Sequence, residues 1–316
     1  MIMFGFHSRK LRLGLDILSS EMRLAVLVGK GNDTALVSQA TASLPSGILT
    51  ESYGTLNIAD PDGFKGVLKD LIQRTAPRKA VRTAVSLPDS LFRLQTFEFD
   101  DLPAGASDRE RLIRWRFEKL AAFDTSDTLL RYQVLPREGK SVLLLSCFAK
   151  RDVVRQYEDM LADLGLEPWH IGPSSLSLLN FYFPAMSRQS SSYAMAAVSR
   201  AAFASLVVEQ GGVRFYRYKE VRAGRPEDVR DRLVRELDDS LHFYLHAGSQ
   251  DSAIDRLYLS GDRDAVEMIV PPLTNSLSLP VEVLMPSAVL PSLGNSGRNG
   301  DRSSNMAAAL GAGGMV

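Results

Sequence analysis

The chain has 316 residues, 45% of them hydrophobic and 23% charged, a composition that builds one large core or two ordinary ones and excludes disorder and collagen-like repetition. Lysine plus arginine and aspartate plus glutamate both total 37, so the net charge is zero and nucleic acid, which calls for a basic surface, is not the expected partner. The single cysteine, Cys147, excludes an intramolecular disulfide and a cysteine-rich metal site and fits a reducing compartment. No stretch reaches the roughly 18 to 20 apolar residues that span a bilayer. The lead, residues 1–12, mixes Phe4 and Phe6 with Arg9, Lys10 and Arg12 and holds no acid. Its expected form is a frayed terminus whose aromatics cover the first strand.

In chain order, residues 11–17 and 22–28 are two apolar runs split by Leu18, Ser19, Ser20 and Glu21, which predicts a hairpin, and a third strand is expected over 34–44. Phe64, Val67, Leu68, Leu71 and Ile72 stand at helical spacing within 62–75, with Asp62 as the expected cap and Pro77 as the stop. Residues 81–87 are a strand. The stretch from 88 to about 140 has the character of an inserted α+β subdomain: a strand over 91–99, a helix over 107–123 with apolar residues on more than one side, and a strand over 129–135. Residues 141–149 form a nearly continuous apolar strand, and 152–164 form a helix with Val153, Val154, Tyr157, Met160, Leu161 and Leu164 inward, ending at Gly165.

After a serine-rich stretch, the first pattern returns: apolar runs over 193–198 and 203–208, a turn at Gly211-Gly212, a strand over 213–218, a helix from Pro226 to about His246, and a strand over 256–260 closed by Gly261. The same order of elements occurs twice, so the expected fold is α/β, two related halves facing each other across a cleft. Their bounds are 1–185, including the insert, and 186–316, with a flexible loop near 292–304 and a flexible Gly311-Ala312-Gly313-Gly314 tail. Four histidines, among them His242 and His246 four apart on one helix, do not make a metal-binding pattern, and none is expected.

Gly14-Leu15-Asp16-Ile17-Leu18-Ser19-Ser20 resembles the GIDIGSS opening of the actin-like ATPase superfamily, and more narrowly of the PilM-like proteins of type IV pilus assembly machines. Leu112-Ile113-Arg114-Trp115 resembles that family's IRWE helix and Arg131-Tyr132-Gln133-Val134-Leu135 its DFQVL strand; residues 142–164 resemble its next strand and helix. Later, Ala196 to Arg200 lies on the second phosphate loop, VDIGA. Leu259 to Arg263 lies on the adenosine loop, LSGGGA. Pro280-Val281-Glu282 and residues 307–311 resemble the closing segments.

The resemblance implies an actin-like fold of two RNase H-like halves. It also implies a vestigial nucleotide site at Gly14, Asp16, Ser19, Ser20 and Gly261, and ATP with magnesium as the cofactor if that site still binds. The departures argue against binding: Leu18 replaces a glycine, Ala197 the metal-linked aspartate, Ser199 a glycine, Arg200 a small residue and Asp262 a glycine. Only Asp16 and Glu236 are candidates for hydrolysis, so no catalytic residue is expected and the chain is expected to be a pseudo-ATPase scaffold. By the same resemblance the scaffold is cytoplasmic and peripheral at the inner membrane, with other pilus platform or motor components as further partners. It binds the cytoplasmic N-terminal peptide of a PilN-like inner-membrane protein between the first half and the insert, through Arg93, Gln95, Phe97 and Trp115. The alternatives are an active ATPase of the same machinery and a GspL-like type II secretion component, the latter requiring a following transmembrane helix.

Overall fold

The computed structural model describes residues 11–29, 34–75, 82–121, 124–135, 141–221, 225–247, 253–290 and 306–314. The opening hairpin forms as β1 (Leu11–Ile17) and β2 (Glu21–Val28), with Leu13, Leu15, Ile17, Met22 and Leu24 fully buried. β3 (Ala35–Ser43) pairs antiparallel with β2, and α1 (Pro61–Thr75) leads to β4 (Arg82–Leu87), parallel to β1. Phe64, Leu68 and Leu71 are the buried stripe of α1. Its cap is Asp60 rather than Asp62: the Asp60 carboxylate accepts the Gly63 N–H at 3.0 Å, and Pro61, preset for helix, takes the first position.

The insert is a three-stranded antiparallel sheet, β5 (Phe92–Phe99), β6 (Thr128–Leu135) and β7 (Val142–Lys150) in the order β5-β7-β6, with α2 (Ala106–Ala121) on one face. It therefore ends at residue 150, beyond the expected boundary near 140, because β7 is the centre of the small sheet. Alternation explains the unbroken apolar run of β7: Leu144 and Phe148 pack under Ile113 and Phe117 of α2, whereas Leu145, Cys147 and Ala149 turn toward the first half.

α3 (Arg151–Asp163) follows with Val153, Val154, Tyr157 and Leu161 buried, then β8 (Glu167–Pro173) and α4 (Ser174–Met186). The first sheet reads β3-β2-β1-β4-β8. The second half repeats it. β9 (Ser192–Ser199), β10 (Ala202–Glu209), β11 (Gly212–Glu220), α5 (Pro226–Ala247), β12 (Leu257–Gly261), α6 (Arg263–Ser276) and β13 (Val281–Val283) build a sheet of order β11-β10-β9-β12-β13. Strand senses match position by position, and a bulge falls late in the second strand of each half, at Val26/Leu27 and at Val207/Val208.

One face of the second sheet, with Tyr193, Met195 and Tyr216, joins the core of the first half through α4; the other packs on α5 and α6 through Leu233, Leu237, Leu241 and Ile269. The last helix, α7 (Ala307–Gly314), returns to the first half and lies on β1 and α4. The expected glycine-rich tail is thus the end of a buried helix. Its small residues allow close approach: a Cβ on Gly14 of β1 would overlap the carbonyl oxygen of Ala309 and lie 2.8 Å from the Gly313 nitrogen. The lead up to residue 10, residues 122–123 of the expected second helix and the loop 292–304 lie outside the described residues.

Candidate functional site

Two cavities bear on function. The first, about 510 Å³, lies where the β1–β2 turn faces the β9–β10 turn, the cleft expected between the halves. Asp16 is directly opposite Arg23 in the β1–β2 register and beside Ser86 of β4. The Arg23 guanidinium donates to the Asp16 carboxylate at 2.9 Å and reaches Glu21 with its other arm. Burial pushes the Asp16 carboxyl above its ordinary range, against the pull of Arg23. Leu18 lines the cavity, the Ser19 N–H donates to the Glu51 carboxylate at 3.3 Å, and the Ser90 hydroxyl donates to the same carboxylate at 3.2 Å.

At the back of the cleft, buried Asp89 accepts from the Ser175 N–H at 3.0 Å and from the Tyr216 hydroxyl at 2.9 Å, so a carboxylate of the first half is tied to β11 of the second. Burial raises its carboxyl as well, and these hydrogen bonds oppose the rise. The second half contributes Ala197, Ser199 and Arg200. Gly261, at φ +125°, is fixed by packing, since a Cβ there would overlap the Val198 carbonyl oxygen. Asp262 lines the cavity while capping α6, its carboxylate accepting the Ala265 N–H at 3.0 Å.

Asp16, Ser19, Ser20 and Gly261 therefore come together, and Gly14 does not: it is absent from the lining because its missing side chain serves the contact with α7. Glu236 is also elsewhere, pairing with Arg217 and Lys219. The lining fits a magnesium–triphosphate poorly. Five carboxylates (Asp16, Glu21, Glu51, Asp89 and Asp262) face two guanidiniums (Arg23 and Arg200), and Arg23 already holds the one carboxylate placed for a metal. Among the described residues no group of three or more metal-ligating side chains occurs.

The second cavity, about 470 Å³, is a groove between the insert and the first half. Consecutive residues Arg131, Tyr132 and Gln133 of β6 line one wall and the run from Pro168 to Pro173 of β8 the other. Consecutive side chains of a strand point to opposite faces, so the unbroken run on β8 presents that strand's edge, whereas Leu129, Arg131 and Gln133 of β6, opposite Ala149, Cys147 and Leu145 of β7, extend the face that forms the floor. β6 closes one end of the small sheet and β8 one end of the first sheet, each with a single paired neighbour. Leu145, Cys147, Ala149 and Leu176 make the apolar floor, and Glu158 supplies an acid. Burial pushes the Cys147 thiol up to about 12, which leaves it inert as a nucleophile.

The four residues expected at the partner peptide are not gathered there. Phe97 is buried in the insert core against Phe117; Trp115, 52% exposed, stands on α2 across the small sheet from the groove. Arg93 stacks over the Tyr53 ring, 4.1 Å from its centroid, and donates to the Phe92 carbonyl, while Gln95 donates to the Thr96 carbonyl. The groove residues that sequence reasoning missed, Trp169 and Ile171 above all, belong to β8, whose Pro168, Gly172 and Pro173 disguise a strand.

No protein-family model matches the sequence, and no curated protein is similar to it at a significant level. Solved structures are similar to it. A chain of the PilM-PilN type IV pilus biogenesis complex is 20% identical with a TM-score of 0.80, over 96% of this chain and 98% of that one. A Bacteroides thetaiotaomicron protein with actin-like ATPase fold and unknown function is 12% identical with a TM-score of 0.52, over 98% and 99%. The ethanolamine utilization protein EutJ from Carboxydothermus hydrogenoformans is 10% identical with a TM-score of 0.51, over 97% and 90%. The fold is actin-like, and its resemblance to the PilM-PilN structure extends over nearly the whole chain.

Proposed function

We propose that this chain is a non-catalytic, PilM-like scaffold that holds an extended segment of a PilN-like inner-membrane protein in the groove between β6 and β8. The carrying observation is that the open edge of β8 borders an apolar floor whose other rim is β6, the end strand of the small sheet. An added strand pairs its backbone with the β8 edge, each such hydrogen bond contributing a net ~0.5–1.5 kcal/mol, and its alternate side chains enter the floor while a basic residue meets Glu158. The likeness to a chain of a solved PilM-PilN complex supports this choice of partner. The scaffold works at the cytoplasmic side of the inner membrane, held there by its partner; no helix among the described residues is long and apolar enough to cross a membrane. The carboxylate-rich, Arg23-occupied cleft supports a pseudo-ATPase.

The test is calorimetric titration of the cytoplasmic N-terminal segment of the PilN-like protein of the same organism. Trp169→Ala is expected to weaken binding about tenfold or more, Trp115→Ala to leave it unchanged, and a segment N-methylated at alternate backbone nitrogens to bind poorly to the unaltered protein. Loss of binding from Trp115→Ala with none from Trp169→Ala would place the partner on the opposite face of the insert and refute the assignment.

A further inference from the structure

Side chains of the cleft itself occupy the two positions a nucleotide would need. A phosphate binds by taking hydrogen bonds from backbone N–H groups at the tip of a strand turn, and a metal by taking a carboxylate. At the β1–β2 turn the Ser19 N–H is directed to the Glu51 carboxylate, which is held from its other oxygen by Ser90. One residue pair deeper, the Asp16 carboxylate is held by Arg23. Glu51 comes from the segment after β3 and crosses to the turn, 32 residues away in sequence, so this contact is made by the tertiary fold and not by local geometry. The Glu51 carboxylate thus occupies the anion position of the turn, and the Arg23 guanidinium the cation position.

We propose that Glu51 and Arg23 are built-in substitutes for an oxyanion and a cation, keeping the cleft in one arrangement without ligand, and that Glu51 excludes free oxyanions from it. This rests on the pseudo-ATPase reading and extends it. Without Glu51 the cleft would offer the Ser19 N–H and the exposed guanidinium of Arg200 to an anion, and the turn would lose the carboxylate that stands against it. The site so uncovered takes small oxyanions of the phosphate class. A magnesium–nucleotide remains excluded, since Leu18 and Ala197 are unchanged and Arg23 still holds Asp16.

The probe is inorganic pyrophosphate, titrated by calorimetry into the full chain and into Glu51→Ala and Glu51→Gln. Glu51 is exposed, so neither change disturbs the core, and circular dichroism checks the fold. The unaltered protein is expected not to bind at millimolar pyrophosphate. Glu51→Ala is expected to bind at least about tenfold more tightly, Glu51→Gln to gain in the same direction, and Arg200→Ala added to Glu51→Ala to abolish the gain. Equal behaviour of Glu51→Ala and the unaltered protein would overturn the proposal, as would a gain that survives Arg200→Ala. Magnesium–ATP is titrated into the unaltered protein in parallel. Magnesium-dependent binding there overturns the pseudo-ATPase reading whatever the Glu51 variants do, and failure of the Glu51 variants without it overturns only the substitution by Glu51.

Discussion

Gly14→Ala should destabilise this protein strongly although the residue lines neither the cleft nor the groove. The added Cβ would overlap the Ala309 carbonyl oxygen and stand 2.8 Å from both the Ala309 carbonyl carbon and the Gly313 nitrogen, all backbone atoms that cannot rotate aside. Relief requires α7 to retreat from β1 by more than an ångström, which loosens Ala308, Ala309, Leu310 and Ala312, each no more than 4% exposed. Overpacking a core costs about 1–3 kcal/mol, and a backbone-on-backbone clash belongs at the upper end. At roughly 2–4 °C per kcal/mol for a large domain, about 3 kcal/mol lowers Tm by about 6–12 °C. Gly66→Ala is the matched control: an ideal Cβ there meets nothing within 4 Å, in the middle of α1, so it should gain about 0.5–1 kcal/mol by reducing the freedom of the unfolded chain. Both are measured by circular dichroism melting at one fixed scan rate. A Gly14→Ala Tm within about a degree of the unaltered protein's, with Gly66→Ala behaving as expected, would refute the seating of α7 on β1.

Arg23→Met leaves Asp16 buried without its cation and should cost about 3–5 kcal/mol in urea unfolding, whereas Asp16→Leu combined with Arg23→Met should recover much of the loss; a double variant as unstable as the single would show that the pair is not the source. Asp89 supplies a pH prediction. Its folded carboxyl is raised above the ordinary 3.8, so the folded state binds more protons than the unfolded one between the two values. The associated stability is fully present below pH 3.8 and is lost as pH rises through the folded value; Asp16 adds a slope of the same sign. Asp89→Asn should therefore flatten the decline of stability above pH 3.8, and a difference between variant and unaltered protein that does not depend on pH in that window would contradict the direction assigned to Asp89.

Hydrophobic period and turn chemistry carried most of the fold. The hairpins of both halves, α1, α3 and α5 were readable because each buries one face: Phe64, Leu68 and Leu71 stand at helical spacing whatever they pack against. Their repetition in order revealed the duplicated architecture, and Asp16, Ser19 and Ser20 placed the cleft at the first turn. α4 was invisible for the opposite reason. Leu178, Leu179, Phe181 and Tyr182 point to several sides of it because it lies between the two halves, and a helix exposed mainly along Asn180 and Pro184 has too wide a buried face to show a clear period.

The rest depended on which distant segments meet. Gly14 lies in a phosphate-loop motif, yet its glycine serves α7, whose glycines by composition suggested a loose tail; only packing 295 residues away in sequence decides between the two readings of each. Phe97 and Trp115 belong to an alternating strand and an amphipathic helix, and the alternation could not say which face of the small sheet turns to the groove. Glu51 carried no signal at all, since its role exists only where the segment after β3 crosses the β1–β2 turn. Local propensity and burial period are properties of short windows of chain, so the sequence determined the elements and their order; α7 on β1, the open β8 edge over the groove and the occupied cleft are contacts between such windows, and tertiary structure alone decided them.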